Sequence, residues 1–179
     1  MLLGEAVDAL SGNAHRIYAF FHYFGMSCYA RHGKLSENFG YIHDLLIQTG
    51  FAAEHENVFY SSRLSGGYNA KVKLKWHGVT ASGQQYCDFI LNGATVGGCE
   101  IHFLEHTDIA YLRWIFINEN LRGSGIGSES MSALKADLFK KGILRFDTDT
   151  ALTNTVAQHF YEKNNFVNEG LTRSYYKEL

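Results

Sequence analysis

The sequence of 179 residues contains no proline and only three cysteines, Cys28, Cys87 and Cys99. The cysteines are odd in number and widely spaced, without a C-x-x-C pair, which favours reduced thiols in a reducing compartment over a disulfide scaffold or a zinc site. No two histidines flank a carboxylate at the spacing of H-E-x-x-H, so we expect no bound metal. Proline, the strongest helix breaker, is absent, so glycines are used to predict where helices end.

Charge and hydrophobic runs exclude further classes of protein. The formal net charge is −2, so no basic excess indicates binding to nucleic acid or to an anionic membrane. No apolar run approaches the roughly 18 residues that a membrane span needs, and the N-terminus lacks the basic region and apolar core of a signal peptide. We therefore expect a cytoplasmic protein. Its hydrophobic content of 46% is enough to build the core of one domain, or of one domain with an appendage.

Two helices are predicted near the N-terminus. In "AHRIYAFFHYF" an isoleucine and three phenylalanines recur at helical spacing, which predicts a helix over residues 14–24. The pattern of "SENFGYIHDLLIQTG" predicts a second helix over residues 37–49, with Ser36 as its cap and Gly50 as its end.

A glycine-rich turn, "SGGYN", is the predicted boundary between an N-terminal segment, residues 1–66, and a core, residues 67–179. The segment also echoes the end of the chain, because each has a helix, then Phe51 or Phe166, then a glutamate three residues on and a strand. Either both are amphipathic helices followed by strands, or residues 1–66 are the remnant of a duplicated domain.

The predicted core mixes strands and helices, which is typical of an α+β fold with a mixed sheet. "KVKLKWH" alternates as a half-buried edge strand does, since lysines discourage edge pairing. An Asn-Gly pair predicts a hairpin turn, and the apolar run "DIAYLRWIFI" predicts a central strand. Strands are predicted at 57–64, 71–77, 85–91, 95–105, 108–117, 143–150 and 172–179, and helices at 128–141 and 154–164.

Three glycines stand at every second position in "RGSGIG", which runs from Arg122 to Gly127. A Walker A loop needs a lysine that is missing here, and the dinucleotide fingerprint fails because Ser128 stands where it needs its third glycine. The pattern R/Q-x-x-G-x-G/A fits in full. A strand that runs into a glycine turn and a helix N-terminus directs several backbone N–H groups at one point, which suits a pyrophosphate.

A second motif, "NTVAQHFYEKNNF", begins 32 residues after Arg122, one helix and one strand later. Together the two motifs resemble the signatures of the GNAT superfamily of N-acetyltransferases, over about residues 85–179. The departure is Asn165, which stands where the family usually has glycine; both residues tolerate a left-handed helix end. The resemblance implies a mostly antiparallel twisted sheet flanked by helices, in which a bulge splays one strand from its neighbour and opens a slot for acyl-CoA.

The resemblance also implies roles for individual residues. Tyr161 is the general acid that protonates the leaving thiolate, or else only a core aromatic. Asn154 bonds the pantetheine arm, or else only caps a helix. Arg122 helps to hold the pyrophosphate, or else is a solvated side chain. The implied acyl-CoA-binding residues are Ile115, Phe116, Ile117, Arg122, Gly123, Ser124, Gly125, Ile126, Gly127, Ser128 and Asn154.

The general base is not evident, because "YLRWIFI" holds no carboxylate where family members often have one. Glu100 and His102 fall on one face of the preceding strand and are the candidates we single out. Asp147 and Asp149 share a face of a later strand, but such carboxylates are mostly structural.

The implied function is transfer of an acetyl group from acetyl-CoA, the co-substrate, to a primary amine by direct attack in a ternary complex. The alternative is a non-catalytic acyl-CoA-binding module. The expected partners are a small-molecule amine or a protein amine, without nucleic acid or membrane, and a homodimer stays open. Residues 1–66 supply either the helices of the acceptor side or a degenerate half-repeat.

Overall fold

The computed structural model describes residues 15–20, 33–80 and 83–179. Strands in these ranges form one mixed sheet in the order β1-β9-β3-β8-β7-β6-β5-β4, with β2 also paired to β9, which confirms the predicted α+β fold. No helix in these ranges is long and apolar enough to cross a bilayer. The strands are β1 Arg16–Tyr18, β2 Leu35–Ser36, β3 Ala52–Arg63, β4 Lys73–Val79, β5 Gln84–Leu91, β6 Ala94–Phe103, β7 Ile109–Ile117, β8 Arg145–Ala151 and β9 Val167–Glu178. The helices are α1 Gly40–Gln48, α2 Ile126–Lys140 and α3 Thr155–Lys163.

The prediction of a helix over residues 14–24 is wrong for the described residues 15–20, because β1 pairs antiparallel with the end of β9. Arg16 decides this locally: its guanidinium bonds the Glu178 carboxylate at 2.5 Å and lies 4.0 Å from the centre of the Tyr176 ring. Such cross-strand contacts outweigh a helical spacing of apolar residues. Residues 14 and 21–24 of the prediction lie outside the described residues.

The second predicted helix is confirmed, but its start differs from the prediction. Ser36 belongs to β2 instead of capping the helix, and Phe39 precedes the first turn without a capping side chain. Gly50 follows the helix with φ +84°, as the predicted end requires.

The predicted core elements are present. β4 is an edge strand, and Asn92 and Gly93 both have positive φ in the hairpin turn between β5 and β6. The longest apolar run forms β7, which lies inside the sheet between β6 and β8. α2 buries Met131, Leu134 and Leu138 against the sheet, where they join the main hydrophobic core.

β3 lies between β8 and β9, so one sheet holds strands from both sides of the predicted boundary at residue 66. It pairs with β8 from Asn57 to Arg63 and with β9 from Ala52 to Ser61. The division of the chain at this boundary stays a prediction.

The echo between the two ends of the chain has a structural counterpart. α1 and α3 each have nine residues, and β3 and β9 each have twelve. Asn57 and Thr172, which lie 115 positions apart, pair with each other across β3 and β9. Ser36 pairs with Thr172 as Ala151 pairs with Asn57, so β2 lies beside β9 as β8 lies beside β3. The two helix–strand units are therefore related by a local pseudo-twofold axis through the Asn57–Thr172 pair.

A buried lysine ties three elements of the core together. Lys135 on α2 is 3% exposed, and its ammonium donates to the Ser62 hydroxyl at 2.7 Å and to the Asn164 carbonyl at 2.6 Å. Burial lowers the pKa of Lys135 from 10.5 to about 8.

This lowered pKa predicts a pH-dependent contribution to stability. Between about pH 8 and 10.5 the unfolded chain holds a proton on Lys135 that the folded chain has lost, so stability rises with pH in that window. Over this pH window the free energy of unfolding of the wild type should increase by up to about 3 kcal/mol more than that of Lys135→Met. Urea denaturation at a series of pH values measures the difference. Lys140→Met, at an exposed position of the same helix, is the control, and parallel curves for wild type and Lys135→Met would contradict the prediction.

Candidate active site

β7 and β8 separate partway along their length. Their parallel pairing runs from Ile109–Arg145 to Leu112–Thr148 and ends there. Beyond that pair β7 continues to Ile117 beside β6 alone among the described strands. The backbone of the last residues of β7 therefore borders a slot that opens toward the end of β8.

A bulge in β7 lies at the point of separation. Glu100 pairs with Trp114 and Ile101 with Leu112, so Arg113 is the extra residue. A bulge stops regular pairing and turns the strand. This geometry agrees with the bulged, splayed strand that the family resemblance implies.

β6 approaches the bulged strand closely at Gly97. A Cβ atom at this position would lie 2.2 Å from the carbonyl oxygen of Phe116 and 3.0 Å from the Cα of Ile117. Only glycine fits such a distance to backbone atoms. Gly97 therefore fixes the position of the segment that borders the slot.

The glycine loop leads from the end of β7 into α2. Gly123 and Gly125 have φ of +78° and +87°, and a Cβ atom at either would meet no atom within 4 Å. Gly125 precedes the helix without a capping side chain. Among the described residues no acceptor bonds the backbone N–H groups from Gly123 to Ser128, since a helix start leaves these donors unpaired. Unpaired donors at a helix start fit an anion such as a pyrophosphate.

The polar side chains of this loop bond its own backbone. The Nε atom of Arg122 donates to the Ile117 carbonyl at 3.1 Å, and its guanidinium stays 62% exposed. Ser124 donates its hydroxyl to the Leu121 carbonyl at 2.6 Å. Arg122 thus holds the loop against the end of β7, and its exposed guanidinium also pairs with the Glu119 carboxylate at 3.5 Å.

The second motif forms α3, which packs near the base of the slot. Asn154 caps this helix, because its Oδ1 atom accepts from the Ala157 N–H at 3.1 Å. Its Nδ2 atom donates to none of the described residues. Asn165 has φ of +59° after the helix, in the left-handed conformation that the family's glycine would adopt.

Tyr161 lies in the core with its hydroxyl at the point where β7 and β8 separate. It is 5% exposed, and its ring packs against those of Tyr60 and Phe166. Its hydroxyl interacts with that of Thr148, which donates to the Leu112 carbonyl at 3.0 Å. Burial raises the pKa of Tyr161, with a smaller contribution from the Asp149 charge, so the phenol keeps its proton at neutral pH.

The two candidate bases are buried on the opposite face of the sheet. Both oxygens of Glu100 accept hydrogen bonds, one from Arg113 at 2.5 Å and the other from the indole of Trp114 at 2.7 Å. His102 is 6% exposed and pairs with Tyr111 across β6 and β7.

An aromatic surface lies beside Glu100 on the same face. The rings of Tyr86 and Trp114 are 5.8 Å apart, and those of Trp114 and Phe116 are 5.7 Å apart. All three are more than a third exposed. The Glu100 charge is the main cause that raises the pKa of Tyr86.

Sequence reasoning missed several residues at the slot. Two adjacent glycines inside a strand indicate a close backbone approach, so "TVGG" could have revealed Gly97. Nothing in the sequence reveals Lys34, whose ammonium bonds the Asp149 carboxylate at 2.5 Å from 115 positions away. In the described ranges no three histidine, cysteine or acidic side chains cluster so as to hold a metal ion.

Comparison with known families identifies the class of protein. The model of the acetyltransferase (GNAT) family matches residues 50–166. The match covers more than half of the chain, and the chain belongs to this family, whose members transfer acyl groups and generally use acetyl-CoA. The matched region begins at residue 50, so it includes β3.

Solved structures with the same fold have low sequence identity to this chain. A GCN5-related N-acetyltransferase from Sphaerobacter thermophilus has a TM-score of 0.58 and 11% identity, over 81% of this chain and 58% of that chain. A GNAT-family acetyltransferase from Colwellia psychrerythraea has a TM-score of 0.58 and 12% identity, over 83% and 66%. A functionally unknown conserved protein from Staphylococcus epidermidis has a TM-score of 0.56 and 12% identity, over 98% and 79%. The chain thus spans less than two thirds of the first two structures.

The close approach at Gly97 predicts a large effect of a single methyl group. Gly97→Ala should lower the free energy of unfolding by about 1–3 kcal/mol or more, because the methyl group meets backbone atoms that cannot rotate away. Gly40→Ala is the matched control, since a Cβ atom there meets nothing within 4 Å. Urea denaturation compares the two variants, and equal losses would contradict the role of Gly97.

Proposed function

We propose that this chain transfers an acetyl group from acetyl-CoA to a primary amine by direct attack in a ternary complex. The observation that supports it is the slot between β7 and β8, which has unpaired backbone donors at one end and the Tyr161 phenol at its base. Both features are what acyl transfer from a thioester needs.

Acyl-CoA would lie along the slot. The N–H groups from Gly123 to Ser128, with the charge of Arg122 near them, would bind the pyrophosphate. The backbone of Ile115, Phe116 and Ile117 would pair with the pantetheine arm, as a neighbouring strand does. The Nδ2 atom of Asn154, which donates to none of the described residues, would donate to the same arm, and this is compatible with the capping role of its Oδ1 atom.

Chemistry would take place where the strands separate. Backbone amides of β7 after the bulge would stabilise the oxyanion that develops on the thioester carbonyl. Tyr161 would donate its proton to the leaving thiolate, a step for which a phenol that stays protonated at neutral pH is suited.

The general base is sought among the two candidates on β6. Glu100 bonds Arg113 and Trp114 through both oxygens, so we assign it a positioning role for the aromatic surface. We keep His102 as the candidate that takes the proton of the ammonium, directly or through water.

The acceptor would enter from the face opposite α2 and α3. Tyr86, Trp114 and Phe116 could contact the part of the acceptor that does not react. We also propose a cytoplasmic setting, supported by the buried free thiols of Cys87 and Cys99.

A non-catalytic acyl-CoA-binding module is the second candidate. One observation favours it: Lys34 from the N-terminal segment reaches Asp149 on the acceptor side of the sheet. A chain that keeps its own side chain there could bind acyl-CoA without turning it over.

Acetyl-CoA should raise the melting temperature of the purified chain, because it binds only the folded state. Ser124→Glu should abolish the shift by placing a negative charge among the donors of the glycine loop. Tyr41→Glu, on the exposed face of α1, should keep it. Thermal denaturation with millimolar acetyl-CoA measures all three, and no shift in the wild type would refute acyl-CoA binding.

Tyr161→Phe should keep the acetyl-CoA shift and lower turnover by about 10²-fold or more, the usual loss when a general acid is removed. Free-thiol release from acetyl-CoA with a panel of primary amines measures turnover. The control is Tyr60→Phe, which removes a hydroxyl from the same ring cluster that bonds Glu162 instead of facing the slot. Equal turnover of Tyr161→Phe and wild type would remove Tyr161 from the mechanism.

A further inference from the structure

A buried ammonium is paired with a carboxylate on the acceptor side of the sheet. The Nζ atom of Lys34 is 2.5 Å from Oδ2 of Asp149, and both side chains are less than a tenth exposed. The hydroxyl of Tyr111 donates to Oδ1 of the same carboxylate at 2.5 Å.

This cluster flanks the point where β7 and β8 separate. Leu112 and Thr148 form the last pair, so Tyr111 lies one residue before the separation and Asp149 one residue after it. Alternation along β8 turns Thr148 toward Tyr161 and Asp149 toward the opposite face. The Asp149 charge is a minor contribution to the raised pKa of Tyr161, after burial.

Among the described residues, two apolar side chains border the cluster. Phe59, the cross-strand neighbour of Asp149, is 3% exposed and packs with Tyr111 and Leu104. A carboxylate in such a setting needs a cationic partner, because an unpaired buried charge is costly. The contact that Nζ makes with Asp149 is one that another primary ammonium can make.

We propose that Asp149 and Tyr111 form the ammonium-binding subsite for the acceptor amine, and that Lys34 is a built-in occupant which the acceptor displaces. This inference rests on the proposed function, because it assigns the amine site of the same slot. It identifies the acceptor as an unhindered primary amine on a methylene chain, the chemistry that Lys34 presents.

Lys34 lies at the start of a short strand pair. Lys34 directly precedes β2, which holds to β9 through two residue pairs, Leu35–Arg173 and Ser36–Thr172. Lys34 and Asp149 also occupy equivalent positions of the two pseudo-symmetric units, 115 residues apart. The occupant therefore comes from the N-terminal unit, in which the apolar Phe39 and Leu46 stand at the positions equivalent to Asn154 and Tyr161.

The step balances without a further reactant. The acceptor ammonium gives one proton to His102 or water, and its nitrogen forms a bond to the thioester carbonyl carbon. The carbon–sulfur bond then breaks, and the thiolate takes the proton of Tyr161. The tyrosinate regains a proton from the amine nitrogen through solvent, so the products are an amide, free CoA and one proton.

The test replaces the occupant with an amine in solution. Lys34→Ala removes the carbon and nitrogen atoms that n-propylamine supplies. With acetyl-CoA, this variant should release thiol from n-propylamine at least about tenfold faster than wild type at subsaturating amine, because an internal occupant lowers the apparent affinity of its competitor. n-Propylammonium should also raise the melting temperature of Lys34→Ala.

Three variants separate the subsite from general effects of a cavity. Lys34→Ala/Asp149→Asn should lose both gains, because the carboxylate is neutralised. Lys34→Arg should stay as slow as wild type, because a cation still fills the site. Lys135→Ala also leaves space for an ammonium, but in the core among α2, β3 and α3, and should release no additional thiol. If Lys34→Ala fails to fold without amine, Lys34→Gln takes its place, since it keeps a donor to Asp149 without the charge.

Several outcomes would overturn the proposal. If acetyl-CoA still raises the melting temperature but Lys34→Ala releases thiol no faster than wild type, the pair is only a structural ion pair. Retention of the gain by the Asp149→Asn double variant would exclude this carboxylate. Acetylation of Lys34 itself in the wild type, seen as one added acetyl group by peptide mass spectrometry, would make Lys34 the acceptor and overturn its displacement. Absence of any acetyl-CoA shift would refute the proposed function and this inference together.

Discussion

The structure depends on an incomplete strand pair. β7 and β8 form four residue pairs and then separate, which leaves backbone donors and acceptors of β7 without a neighbouring strand. Such groups need another partner, because backbone hydrogen-bonding groups that lose water must be paired. The bulge at Arg113 creates the separation, Gly97 holds the far side of β7 in place, and the glycine loop and Tyr161 lie at its two ends. An extended ligand with an anionic end fits this arrangement.

The sequence predicted the half of the chain in which local signals and tertiary structure agree. "RGSGIG" and the α3 motif predicted the loop, the helix ends and the position of Tyr161, because those features depend on glycine, capping and helical spacing. The edge position of β4 and the turn at Asn92 followed from side-chain alternation and turn chemistry. These signals act within a few residues, so a single sequence carries them.

The N-terminal region was harder to predict because its structure depends on distant partners. Residues 16–18 have apolar neighbours at helical spacing, but Glu178 and Tyr176 hold them as a strand. Ser36 pairs with Thr172 instead of capping a helix. The pairing of Lys34 with Asp149 likewise joins residues that no local pattern connects. Of the catalytic candidates, Glu100 was singled out from alternation alone, which cannot reveal that Arg113 and Trp114 bond both of its oxygens.

The insertion of β3 between β8 and β9 has a consequence for how the chain folds. β3 is made early, yet both of its neighbours come from the last third of the sequence, so its place in the sheet does not exist until β8 and β9 emerge. Pairings between such distant segments form slowly, since the chain loses the entropy of closing a long loop before the new contacts stabilise it. Until then Val58 and Tyr60, which are buried in the complete sheet, remain exposed and can contact other chains. The same interleaving that joins the two pseudo-symmetric units thus makes the assembly of the sheet a late event.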